Sequence, residues 1–187
     1  MSILFVNACM REGSRTLRLA RELLSKAQTQ DVTEVRIGSN SVNALDDESI
    51  VTYMDGVAQG DYRDSMFWPA KQFASADEIL IAAPIWNYGI PARLHDYLEL
   101  VCSQGVTFDV DAQGRYVSLC NAKRLTFVTT AGGPLPRNGN DHAFGYIRTL
   151  ATEFWHIPDI RCVYADSLDE VGADVEMMLR AALDNAS

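Results

Sequence analysis

Ile81-Ala82-Ala83-Pro84-Ile85-Trp86-Asn87-Tyr88-Gly89-Ile90-Pro91 decides the fold. After an acidic start at Glu78 the chain is apolar through Ala83, which suits a strand buried on both faces of a parallel sheet. The strand runs into a proline, two aromatics, an asparagine, a glycine and a second proline. In open α/β sheets, ligands collect beyond the carboxyl ends of such strands. Pro84 fixes φ and has no N–H, and Gly89 is expected to free the backbone. The rest of the segment offers main-chain N–H groups and ring faces to a flat heterocycle.

Two other segments have the same form. Ser2 to Ala8 reads as a short apolar strand, followed by Cys9-Met10-Arg11-Glu12-Gly13-Ser14-Arg15-Thr16 and then Leu17, Leu19, Ala20, Leu23 and Leu24 at helical spacing. Ser14 is a natural N-cap. The first-turn N–H groups, with the hydroxyls of Ser14 and Thr16, suit a phosphate dianion, and the helix dipole adds roughly 0.3–1 kcal/mol for a negative group there. Arg124 to Thr129 reads as another buried strand, ending in Thr130-Ala131-Gly132-Gly133-Pro134, where two glycines let the backbone approach a ligand edge. A planar ring and a phosphate together point to a flavin.

Strand and helix signals alternate along the chain. Helices are predicted over 14–27, 66–75, 90–102, 144–154 and 169–183, and strands over 2–8, 32–37, 77–83, 124–129 and 160–164. The polar stretch up to Asp64, with Asp46-Asp47-Glu48 and Tyr53-Met54-Asp55-Gly56, is too long for a simple connection, so a short helix is expected within it. Gly105 to Val110 and Arg115 to Leu119 flank Asp111-Ala112-Gln113-Gly114 and read as a hairpin-like excursion over about 105–119. Five apolar strands with intervening helices imply an α/β three-layer sandwich around one parallel sheet. The flavodoxin-like order 2-1-3-4-5 brings the loops after strands one, three and four to its switch point. We find no repeat or interdomain linker and expect a single domain over residues 1–187.

Composition narrows the partners. With 187 residues, 48% of them apolar and 22% charged, the chain can bury a substantial core. A formal charge of -9 argues against nucleic acid, whose binders display a basic face. There is no apolar run of membrane-spanning length and no signal-peptide pattern, so a cytoplasmic protein is expected. Cys9, Cys102, Cys120 and Cys162 form no CxxC pair, and His95, His142 and His156 lack ligand spacing. No metal is assigned.

The block Ala83-Pro84-Ile85-Trp86-Asn87-Tyr88-Gly89-Ile90-Pro91, then Leu94, Tyr97, Gly105-Val106-Thr107-Phe108 and Thr129-Thr130-Ala131-Gly132-Gly133, resembles the FMN-dependent NAD(P)H:quinone oxidoreductase and azoreductase family, which is also described as flavodoxin-like or acyl-carrier-phosphodiesterase-like. The resemblance implies that Ser14 and Thr16 hold the FMN phosphate and that Pro84, Ile85, Trp86, Asn87 and Tyr88 line the isoalloxazine. It places Asn87 near N5, and Thr130, Ala131, Gly132 and Gly133 at the pyrimidine end. It further implies NADH or NADPH as a transient co-substrate, a quinone, azo or nitroaromatic acceptor, ping-pong turnover and no side-chain nucleophile. A homodimer with Trp86, Phe108 and the hairpin as contacts belongs to the same implication. Where many relatives carry Ser after the first strand, this chain has Ala8-Cys9.

Two alternatives use the same residues. Cys9, five residues, Arg15 and Thr16 resemble the phosphate loop of low-molecular-weight tyrosine phosphatases, with Cys9 as nucleophile. Against it, the late general acid of those enzymes is Asp-Pro, whereas this chain has Pro158-Asp159. A non-enzymatic electron carrier of the flavodoxin type suits the acidic balance but leaves the 105–119 excursion without a task. Each residue also has a plainer role: Trp86 and Tyr88 as packing aromatics, Asn87 as a turn former, and Arg11 and Arg15 as solvated charges.

Overall fold

Ile3–Asn7 (β1) is buried at every position because hydrogen-bonded neighbours flank it and helices cover both its faces. The computed structural model describes residues 1–27, 29–38, 42–135 and 142–186. Val32–Arg36 (β2), Glu78–Ala82 (β3), Arg124–Thr130 (β6) and Asp159–Ala165 (β7) join β1 in a parallel sheet of order β2-β1-β3-β6-β7. Phe108–Val110 (β4) and Tyr116–Ser118 (β5) pair antiparallel as a separate hairpin. With that hairpin set apart, the sheet has the expected order 2-1-3-4-5.

Alternation along the central strands divides the core in two. Leu4, Val6, Ile79, Ile81, Leu125 and Phe127 face Ser49–Gln59 (α2), Trp68–Ser75 (α3), Ala92–Val101 (α4) and Phe144–Glu153 (α5). Ile3, Phe5, Leu80, Ala82 and Val128 face Arg15–Ser25 (α1) and Val175–Asp184 (α6). A strand covered on both sides needs apolar residues in both registers, as the continuous runs in β1 and β3 have.

Several boundaries differ from the sequence expectation. The polar stretch holds a full eleven-residue helix, α2, whose buried residue is Tyr53. Gly56 in its interior leaves room for the Phe67 ring, which a Cβ there would strike. A 3-10 turn, Ser65–Phe67, precedes α3. Pro91 caps α4, which starts at Ala92 rather than Ile90. The last helix begins six residues later than expected: Asp174 caps it, accepting from the Met177 amide at 3.0 Å. Residues 169–174 are therefore loop, and Asp169 is free to reach toward the sheet's carboxyl end.

Phe127 sits at the centre of β6, fully buried and stacked on Phe144 at 6.2 Å between ring centroids. Phe127→Ala removes a ring that the neighbouring strands cannot collapse to replace, so we expect a loss of about 3–5 kcal/mol, read as a lower urea midpoint at unchanged m-value.

Candidate functional site

Level register builds the site. Asn7 lies opposite Ala82, and Ala82 opposite Val128, so β1, β3 and β6 release their loops side by side. The loops continue the ladder: the Ala8 amide donates to Ala82 O at 2.9 Å, Ala83 to Val128 O at 3.1 Å, and Ile85 to Thr130 O at 3.1 Å. Buried Asn7 fixes the first turn, its Oδ1 accepting from the Cys9 amide at 3.0 Å and its Nδ2 donating to Glu34 Oε1 at 2.7 Å.

A cleft opens over these ends, lined by residues of the first loop, by Pro84, Ile85, Trp86, Thr130 and Gly132, and by Asp169 from the loop after β7. One end of it is the start of α1. The Ser14 hydroxyl accepts from the Leu17 amide at 3.2 Å, an N-cap worth about 1 kcal/mol, and has one proton of its own to donate, to the Cys9 sulfur or to an anion. The Arg15 and Thr16 amides belong to the first turn, where helical geometry supplies no acceptor. Thr16 is almost wholly buried, and its hydroxyl lies 2.6 Å from that of Thr130. That shared bond uses one of the pair's two protons and joins the first loop to the third.

The second loop turns tightly. Trp86 and Gly89 exchange N–H···O bonds, both at 3.0 Å, around Asn87 at φ 52° and Tyr88 at φ 63°. Two central residues with positive φ define a primed type I turn, normally built from Asn and Gly. The backbone freedom expected of Gly89 is thus exercised by Asn87 and Tyr88. The turn carries their side chains outward, 62% exposed for Tyr88.

Of the residues expected at the site, Ser14, Thr16, Pro84, Ile85, Trp86, Thr130 and Gly132 share the cleft, whereas Asn87, Tyr88, Ala131 and Gly133 stand outside its lining. The Ala131 amide is committed to Ala165 O at 3.0 Å. Asp169 has no signal in the sequence, because it reads as the start of a helix. Arg15 donates to Asp169 Oδ1 at 2.6 Å and to Leu168 O at 3.0 Å, which is not a solvated charge. Phe108 is buried against Phe154 and Tyr116 of its own chain, at 4.7 and 5.6 Å, and is not placed for a subunit contact.

Matched against family models, residues 1–187 fit the one described as flavodoxin-like fold. The chain belongs to that family. FMN-dependent NADH:quinone oxidoreductase 2 of Clostridium acetobutylicum is 30% identical over 193 residues, covering 98% of this chain and 95% of its own length. The FMN-dependent NADH:quinone oxidoreductase of Coprothermobacter proteolyticus is 30% identical over 181 residues, covering 94% and 90%. Among solved structures, an azoreductase from Bacillus anthracis superposes with a TM-score of 0.83 at 22% identity, over all of this chain and 97% of that one. An FMN-dependent NADH-azoreductase of the same species, solved in complex with FMN, gives 0.81 at 18%, over 99% and 95%. At these identities the two structures speak to the fold.

Cys9 departs from a phosphatase nucleophile. Its thiol is buried, which pushes its pKa up to about 11 despite a hydrogen bond with Ser14, and it donates to Ala82 O at 3.5 Å. Arg15, the other half of that reading, is turned to Asp169. At pH 7 the thiolate fraction is about 10⁻⁴. We expect iodoacetamide to alkylate Cys9 at least about a hundredfold more slowly than free cysteine at pH 7, with the rate climbing until pH approaches 11. Peptide mapping checks this, and a rate near that of free cysteine would restore the phosphatase reading.

Proposed function

We propose that the protein is a cytoplasmic FMN-dependent oxidoreductase that takes electrons from NADH, or NADPH, and passes them to a quinone, azo or nitroaromatic acceptor by ping-pong turnover. The observation that carries this reading is the convergence of a helix N-terminus, a glycine loop and an aromatic turn on one cleft. Its donor set fits the cofactor. The Ser14 hydroxyl and the Arg15 and Thr16 amides are hydrogen-bond donors for a phosphate, and Pro84, Ile85 and Trp86 are flat apolar surface for a ring.

When bound, FMN supplies the redox chemistry, accepting two electrons from the nicotinamide and releasing them to the acceptor. The chain's part is positioning. The Ser14 hydroxyl and the first-turn amides of Arg15 and Thr16 would hold the phosphate, Trp86 and Ile85 would support the ring, and Asn87 and Tyr88 stand at its open rim. The glycine loop, which reaches the cleft at Gly132, would lie at the pyrimidine end, where main-chain donors stabilise negative charge. The open side of the cleft is left to donor and acceptor in turn.

The cleft measures ≈ 180 Å³, below the roughly 300–1,000 Å³ of ordinary ligand pockets, so a flavin projects beyond it. We place a second copy of the chain there. Trp86, Tyr88 and the apolar residues Val110, Tyr116, Val117 and Leu119 of the β4–β5 hairpin are exposed for such a homodimer.

The decisive measurement is spectroscopic. The purified protein is expected to carry or take up FMN, to bleach anaerobically with NADH or NADPH, and to recover its colour with a quinone. Bound FMN that neither nucleotide bleaches would make it a carrier. A protein that takes up no FMN would end the flavin reading.

A further inference from the structure

Asp169 stands where two cofactor loops meet, and nothing in the reaction above gives it a task. Its amide donates to Gly132 O at 2.9 Å, while Leu168 and Ser167 donate to Ala131 O at 3.2 Å and Gly133 O at 3.0 Å. The loop after β7 thereby straps the glycine loop along three successive residues. The Asp169 carboxylate also covers Gly132, since a Cβ at that glycine would collide with it. The same carboxylate receives Arg15 Nη2 at 2.6 Å, and Arg15 Nη1 reaches Leu168 O at 3.0 Å. One guanidinium thus ties the first residue of α1 to the strap across 153 and 154 residues of chain.

We propose that the Arg15–Asp169 pair is a clasp that sets how long the flavin stays bound, with Asp169 as the positioning residue that holds both Arg15 and the glycine loop in place. The proposal rests on the FMN reading above. Arg15 acts through the loops it ties and is not itself a ligand of the phosphate. Its positive charge is matched by Asp169, and its donors are drawn to that carboxylate and the Leu168 carbonyl. The phosphate is left to Ser14 and the first-turn amides. A pair with side chains 24% and 67% exposed adds little to global stability. Its effect falls on local opening of the loops, which is the motion a bound flavin needs in order to leave.

The clasp is tested by the rate at which FMN and, separately, riboflavin leave the loaded protein, followed as recovery of flavin fluorescence on dilution. Asp169→Asn and Arg15→Gln are each expected to speed release of both flavins by about threefold to tenfold. The double variant should be no faster than the single ones, because either change opens the same contact. The flavin-free melting temperature of Asp169→Asn should move by less than about 2 °C, which separates loop control from a general loss of structure. Faster loss of FMN alone in Arg15→Gln would make Arg15 a phosphate ligand and overturn the clasp. Slower FMN release in Asp169→Asn would mean that the carboxylate competes with phosphate, and unchanged rates would mean the pair does nothing; either result overturns it. If the wild-type protein takes up neither flavin, the FMN reading falls first and the clasp falls with it.

Discussion

The parallel ladder through β1, β3 and β6 is the constraint on which the rest depends. Both faces of these strands are buried, so a one-residue slip would exchange the residues facing the two cores and force a mismatch on each side. Register is therefore held firmly, and the strand ends stay level at Asn7, Ala82 and Val128. Three polar loops that are far apart in the sequence are delivered to one rim, and their own amides extend the ladder by several further bonds.

On that rigid edge the loops carry conformations that would be unfavourable elsewhere. Tyr88 at φ 63° occupies the left-handed region, which costs an L-residue roughly 1–2 kcal/mol. The Trp86–Gly89 bonds and the seating of Ile85 on Thr130 hold the turn closed against that cost. Strained turns of this kind collect at ligand sites because the scaffold over-determines them. Here the outcome is an aromatic rim directed away from the core, with Trp86 and Tyr88 exposed above a closed sheet.

The first loop shows how the same residues support different chemistry in different surroundings. Cys9, Arg15 and Thr16 have the spacing of a phosphate loop built on a thiolate. Burial instead keeps the Cys9 thiol protonated, Arg15 is turned to Asp169, and Thr16 is shared with Thr130. What remains for an anion are the Ser14 hydroxyl and main-chain amides, a neutral donor set suited to holding phosphate rather than attacking it. This agrees with membership in a family whose named relatives are FMN-dependent enzymes.

The sequence by itself determined the alternation of elements, the parallel sheet and its order, the β4–β5 hairpin, and the three loops that form the cleft. These follow from apolar periodicity and from turn residues, which act over a few positions. Only the tertiary structure decided that Asn87 and Tyr88, not Gly89, take the left-handed turn, that Phe108 packs inside its own chain, and that Thr16 pairs with Thr130. The tie from Arg15 to Asp169 is the clearest such case. It joins residues 154 positions apart, and the late start of α6 that frees Asp169 follows from the Asp174 cap. Long-range pairs of this kind leave no local periodicity, because their partners meet only after the sheet has set the register of everything between them.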